Sequence, residues 1–149
     1  MCAARVVCLA GGAAEVLGPY RPVRVYVAPA GPRLAGALDV PVEEHAGLSD
    51  PGTAPRDSWL LDGDLAAPAG GGETGRQVLD RFAAALAEIA ERHRGQTVAV
   101  VAAGLELPLS ALCTGLAPGR VHAVPLGDGD AVVVEYEAGA WRYVEGWPT

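Results

Sequence analysis

Hydrophobic residues along the chain fall into two kinds of run: short unbroken apolar stretches, and one long stretch in which apolar residues return every three or four positions. Arg5-Val6-Val7-Cys8-Leu9 is apolar after its first residue and stops at Ala10-Gly11-Gly12, the pattern of a buried parallel strand that ends in a loop. Val23 to Val27 repeats it between the Gly18-Pro19 break and Ala28-Pro29. Thr97 to Val101 is a β-branched apolar run closed by Ala102-Ala103-Gly104, as expected of a central strand covered on both faces. From Glu73 to Arg94, Val78, Leu79, Phe82, Leu86 and Ile89 form one apolar stripe and predict an amphipathic helix. Glu73 in its first turn, Arg92, His93 and Arg94 in its last, and Gly95 just beyond match the dipole and C-cap preferences.

Shorter signals fill the rest. Arg33 to Leu38, with Pro32 in its first turn, predicts a short helix, and Val40-Pro41-Val42-Glu43 an edge strand, where proline is tolerated. Leu48 to Gly72 carries Pro51, Gly52, Pro55, Gly63 and Pro68 and reads as an irregular connection. Leu105 to Gly115 resumes a helical pattern, with Leu109 and Leu112 buried and Gly115 as its stop. Ala131 to Tyr136 and Trp141 to Val144 pair as a terminal hairpin around Gly139, introduced by Asp128-Gly129. Strands alternating with helices predict an α/β fold, and 149 residues fit one domain spanning 1–149.

Composition narrows the function classes. Half of the residues are apolar and 19% are charged, a composition that buries a core. The net charge of -7, with Glu43-Glu44 and Asp62/Asp64 unopposed by any basic run, argues against nucleic acid as a partner. No apolar stretch approaches the roughly 20 residues that span a bilayer, and the start of the chain lacks a basic segment followed by a long apolar one. A cytoplasmic address is therefore expected, with no membrane contact. Cys2, Cys8 and Cys113 form neither a CxxC pair nor a regular spacing, so no disulfide framework, metal site or cofactor is expected; Cys8 and Cys113 read as core residues. His45, His93 and His122 have no metal-ligand spacing and read as surface residues. Gly70 to Gly75 satisfies GxGxxG, but Leu65 to Ala69 is a poor strand, so this is read as a loop leading into a helix and not a dinucleotide site.

Gly72-Glu73-Thr74-Gly75 opening a long helix, then Gly95-Gln96-Thr97-Val98-Ala99-Val100-Val101, a further helix and a hairpin containing Trp141 together resemble the histidine phosphatase (phosphoglycerate mutase-like) superfamily. The resemblance is strong over residues 72 to 144 and weaker before them. It implies a three-layer α/β/α sandwich with a mostly parallel central sheet. It also implies where the chemistry would stand. The family's first strand runs into Arg-His-Gly, whose His accepts the phosphoryl group, and here the matching residues are Ala10, Gly11 and Gly12. Its later strand runs into Ser-His-Gly, and here Ala102, Ala103 and Gly104 stand there. The segment after the second strand, with its phosphate-binding Arg, is matched by Ala28-Pro29-Ala30-Gly31-Pro32-Arg33, with Arg33 as a displaced remnant. The family's proton-donating carboxylate has no clear counterpart; Asp50, Asp57 and Glu73 are the candidates.

Phosphoryl oxygens need charge-assisted bonds, and alanine and glycine supply none. The expectation is therefore a chain that is not a phosphatase or mutase by the phosphohistidine mechanism. It would act instead by binding a partner protein or an uncharged small molecule through a hollow at the strand ends. Glu15, Pro29, Arg33, Glu73 and Glu106 are the residues expected to border that hollow, and Glu15 and Glu106 the carboxylates that a repurposed enzyme would use. A third reading keeps a phosphometabolite bound through Arg33 and Arg5 without turnover. Trp59, Trp147 and Tyr20, if exposed together, would mark an interaction patch, and the edge of the terminal hairpin would serve self-association as a homodimer.

Overall fold

The computed structural model describes residues 3–29, 34–35, 39–49, 68–70, 73–124, 126–127 and 129–148. The first apolar run becomes β1 (Ala4–Leu9), followed by a two-residue strand β2 (Gly12–Ala13) and a 3-10 helix, Ala14–Tyr20. Then come β3 (Val25–Val27), β4 (Leu34–Ala35), β5 (Val42–Glu44), a second 3-10 turn at Ala46–Leu48, β6 (Pro68–Gly70) and β7 (Glu73–Thr74). Helix α1 (Gly75–Arg92), β8 (Thr97–Val101), α2 (Glu106–Leu112), β9 (Cys113–Thr114), α3 (Pro118–Ala123) and the hairpin β10 (Ala131–Glu137) with β11 (Ala140–Glu145) complete the order.

Seven strands form the main sheet in the order β5-β3-β8-β1-β10-β11-β9. The β5–β3, β3–β8, β8–β1 and β11–β9 pairs are parallel, and the two pairs made by β10 are antiparallel. The fold is therefore α/β with a mixed, mostly parallel central sheet. β8, read from its unbroken apolar run as a central strand, lies between β3 and β1, with Val98 to Val101 fully buried.

The two faces of the sheet are covered differently. One carries Val6, Cys8, Tyr26, Val98, Val100, Val132 and Val134, against which α1 lays Val78, Phe82, Leu86 and Ile89. Burying each of these four removes roughly 1.5 to 3 kcal/mol worth of apolar surface from water. The helix begins where its chemistry dictates. Thr74 accepts a hydrogen bond from the Gln77 amide while the Gln77 side chain accepts one from the Thr74 amide, a complete capping box. The opposite face carries Val7, Leu9, Val25, Val27, Ala99, Val101 and Val133, and there the 3-10 helix contributes Leu17, with Val16 and Tyr20 at its margin.

Several expectations change on the structure. Leu34 and Ala35 do not continue a helix from Arg33; they pair in parallel with Gly12 and Ala13, while Arg33 and residues 36–38 lie outside the described residues. The helix expected to Gly115 stops at Leu112, because Cys113 and Thr114 are drawn into register with Trp141 and Arg142. β9 thus covers the hairpin edge that was expected to be open over those two residues. Trp147 is 3% exposed and Tyr20 only half-buried, so the aromatic patch does not form around Trp147; Trp59 lies outside the described residues. His93 is not on the surface. It closes α1 with its ring buried, Nε2 meeting the Tyr26 hydroxyl at 2.7 Å and Nδ1 meeting Gln96 Oε1 at 2.9 Å. His45 is half-buried, accepting from the Gly47 amide and meeting Glu88 at 3.1 Å.

Cys8 and Cys113 are buried free thiols, as read from the sequence. Burial pushes the Cys113 thiol up to about 12 and the Cys8 thiol well above the ordinary thiol range, so neither forms a thiolate at neutral pH. Brief iodoacetamide treatment of the native protein at pH 8, followed by peptide mapping, should leave both residues unlabelled, whereas the urea-unfolded chain labels fully. Phe82→Ala should cost about 3 to 5 kcal/mol in urea unfolding, since it empties the centre of the α1 face.

Candidate functional site

Three parallel strands, β3, β8 and β1, end side by side. Val27 is in register with Val101, and Val101 with Leu9. Beyond that line the main chain keeps pairing for one more step: the Ala28 amide donates to Val101 O at 3.2 Å and the Ala102 amide to Leu9 O at 3.0 Å. Ala28, Ala102 and Ala10 therefore stand next to one another at the carboxyl end of the sheet, where open α/β sheets hold ligands. Both tripeptides singled out in the sequence, Ala10-Gly11-Gly12 and Ala102-Ala103-Gly104, meet here, with Pro29, half-buried, on the far side of β8.

The backbone at these ends is unusual for a chain with side chains. Gly11 has φ 153°, Gly12 φ 132° and Gly104 φ 76°, all in the positive range that glycine tolerates and other residues rarely adopt. Gly11 is buried, and its carbonyl accepts from the Gly129 amide at 3.0 Å, so the antiparallel β1–β10 pairing, in register at Leu9 and Ala131, runs one step beyond the two strands. The Asp130 carboxylate accepts from the Gly127 amide at 2.8 Å just before β10 begins. None of the six residues of the two tripeptides carries a titratable side chain. The polar groups offered by these six positions are main-chain amides and carbonyls.

The carboxylates expected to border the site are spread around it. Glu15 starts the 3-10 helix after β2 and is exposed. Glu106 opens α2 just beyond Gly104 and is 9% exposed, as is Ser110 one turn later. Glu73 belongs to β7, immediately before the α1 cap. Arg33, Asp50 and Asp57 lie outside the described residues. Arg5, the other arginine considered for a phosphometabolite, is at the opposite end of β1, where its guanidinium meets Glu135 at 2.9 Å. Hydrogen bonds from Arg5, with the charge of Arg142 beside them, hold the Glu135 carboxyl below the usual carboxylate range. A cavity of about 340 Å³ also lies at that end, lined by Glu135, Glu137, Trp141 and Arg142. His93 and Gln96 likewise sit before β8, and the length of that strand, roughly 16 Å at 3.3 Å per residue, separates them from Ala102.

Sequence reading missed the part played by Gly127, Gly129 and Asp130. The Asp-Gly signal marked a turn, but nothing local showed that the turn lies on Gly11, more than a hundred residues earlier. Among the described residues, no three His, Cys, Asp or Glu side chains are grouped to hold a metal ion, and no helix is long and apolar enough to cross a membrane.

Comparison with known proteins agrees with this architecture. None of the curated proteins matches the chain in sequence. The chain is similar in structure to a phosphoserine phosphatase from Entamoeba histolytica in complex with 3-phosphoglyceric acid, at TM-score 0.66 and 15% identity, covering 100% of this chain and 98% of that one. It is also similar to a mycobacterial glucosyl-3-phosphoglycerate phosphatase complexed with VO3, at TM-score 0.63 and 15% identity over 100% of both chains. The alpha-ribazole phosphatase from Shigella flexneri gives TM-score 0.60 and 14% identity, with 98% of this chain and 96% of that one covered. At these identities the likeness is one of fold. The family model for the histidine phosphatase superfamily (branch 1) matches residues 34–146, from β4 to just past β11, leaving β1 and its Ala10-Gly11-Gly12 end outside the match. With three quarters of its length so matched, the chain belongs to the histidine phosphatase superfamily, branch 1.

Proposed function

We propose that this chain is a pseudophosphatase: a histidine phosphatase scaffold that does not transfer phosphoryl groups and acts by binding a partner protein or an uncharged small molecule. The observation that carries this is the pair of adjacent strand ends, Ala10-Gly11-Gly12 and Ala102-Ala103-Gly104, which hold no imidazole, guanidinium or carboxylate. Phosphoryl transfer through a phosphohistidine needs a nucleophilic imidazole and cationic donors around the oxygens, and a set that acts as a unit is not rescued by its surviving members. Neither described histidine side chain substitutes, since His93 is engaged with Tyr26 and Gln96 and His45 with Gly47 and Glu88.

The backbone supports the same reading. At φ 153° a histidine in place of Gly11 would be strained. A mouth made of peptide dipoles suits a neutral polar ligand, or a backbone segment of a partner, better than a dianion. The structural neighbours are phosphatases, two of them solved with 3-phosphoglyceric acid or VO3, which makes phosphorylated small molecules the substrates to try first.

Phosphate release from phosphoserine and 3-phosphoglycerate should not exceed buffer, and no acid-labile phosphoprotein should form. Release that co-elutes with the folded chain through two different columns would overturn the proposal. The double variant Gly11→His with Ala103→His should remain inactive and lose about 1 to 3 kcal/mol in urea unfolding from backbone strain; turnover at undiminished stability would show that the main chain still accommodates the chemistry.

A further inference from the structure

The third residue of the first strand-end tripeptide, Gly12, is also the first residue of β2, so the candidate site and this short strand share main chain. β2 and β4 form a two-stranded sheet of their own, apart from the seven-stranded one, with Gly12 in register with Leu34 and Ala13 with Ala35. The pairing is parallel and each strand is two residues long. On the β2 side it involves a glycine and an alanine, so main-chain hydrogen bonds hold the ladder and side chains of β2 select little.

The two partners are anchored unequally. β2 is fixed before and after: Gly11 is buried with its carbonyl on the Gly129 amide, and the residues that follow enter the core, Ala14 at 3% exposure and Leu17 at 0%. For β4, the pairing with β2 is the only strand pairing among the described residues. A two-residue ladder outside the main sheet belongs to the low end of local stability, so it opens while the sheet stays closed. When it opens, β2 presents a preformed row of N–H and C=O groups beside Ala10 and Gly11, and the ordering cost of re-pairing falls on the incoming segment alone.

We propose that β4 is the internal occupant of a strand-addition site: the β2 edge takes an extended peptide segment of a partner protein, main chain to main chain, and Leu34–Ala35 hold that edge in cis until they are displaced. The chemistry of the mouth suits this occupant. Ala10-Gly11-Gly12 offers peptide groups and no charged side chain, and strand addition takes its affinity from main-chain hydrogen bonds. That the incoming segment belongs to a partner rests on the pseudophosphatase reading above; the exchangeable ladder does not.

NMR titration tests this with a synthetic peptide, Pro-Arg-Leu-Ala-Gly-Ala, that copies residues 32–37. In the variant Leu34→Pro with Ala35→Pro, which strips β4 of both amide donors, the peptide should shift the Gly12 and Ala13 amide resonances at roughly millimolar concentration. Half-saturation in the wild-type chain should need about tenfold more peptide or beyond. A second chain, carrying Cys2→Ser with Ala13→Cys and Ala35→Cys at a register pair, reads the same point without removing any donor. Oxidised to the disulfide it should give no shift at Gly12, and reduction should restore the wild-type response. Equal half-saturation in the proline variant and the wild type overturns the proposal, as do an undiminished shift in the disulfide form and the absence of any shift at Gly12 in both the proline variant and the reduced chain. Phosphate release by the wild-type protein would overturn the functional reading and leave the exchangeable ladder standing.

Discussion

The arrangement of the molecule depends on β8 being closed on four sides. Its amides and carbonyls pair with β3 on one edge and β1 on the other, and its side chains from Val98 to Val101 are buried on both faces. A strand in that position cannot carry a polar side chain without an unpaired group in the core, so the chemistry available to the sheet is displaced to the residues just past its end. Those residues are Ala102, Ala103 and Gly104, with Ala10 to Gly12 beside them, brought together because β1 and β8 are in register to their last residues. The character of the site is therefore decided by two tripeptides, each standing at the end of a strand whose interior is fixed by burial alone.

This division separates what holds the scaffold together from what stands at its strand ends. The stabilising surface lies in Val78, Phe82, Leu86 and Ile89 against one face and Leu17 with its neighbours against the other, and none of it involves the strand ends. The family match beginning at residue 34 is consistent with that separation, since it covers the α1 stripe, β8 and the hairpin without needing the end of β1.

How much was legible in the sequence depends on range. β8 and α1 declare themselves through periods of burial over five and eighteen residues, and the capping residues of α1 are local to it. Two-residue strands such as Leu34–Ala35 and Cys113–Thr114 have no period to detect, and exist because Gly12–Ala13 and Trp141–Arg142 offer them a free edge. His93 looks like an exposed helix end until Tyr26, sixty-seven positions away, supplies a buried hydroxyl. Trp147 reads as a candidate for an exposed aromatic patch until Val124 and Tyr143 satisfy both of its N–H groups. In each case the decisive partner is remote, and propensity carries no information about it. The two tripeptides are the opposite case, because their want of a titratable side chain is visible in the sequence wherever the chain folds.

The positive φ angles add something that residue identity alone does not. Gly11 at 153° and Gly12 at 132° adopt a conformation that residues with a side chain rarely take, and the Gly11 carbonyl is held by the Gly129 amide at 3.0 Å where the β1–β10 pairing runs past Leu9 and Ala131. The Gly11 carbonyl is thus spent on an internal bond. On the proposed reading, recognition at such a mouth rests on the shape and the dipoles of the main chain at the strand ends more than on any single ionisable residue near it.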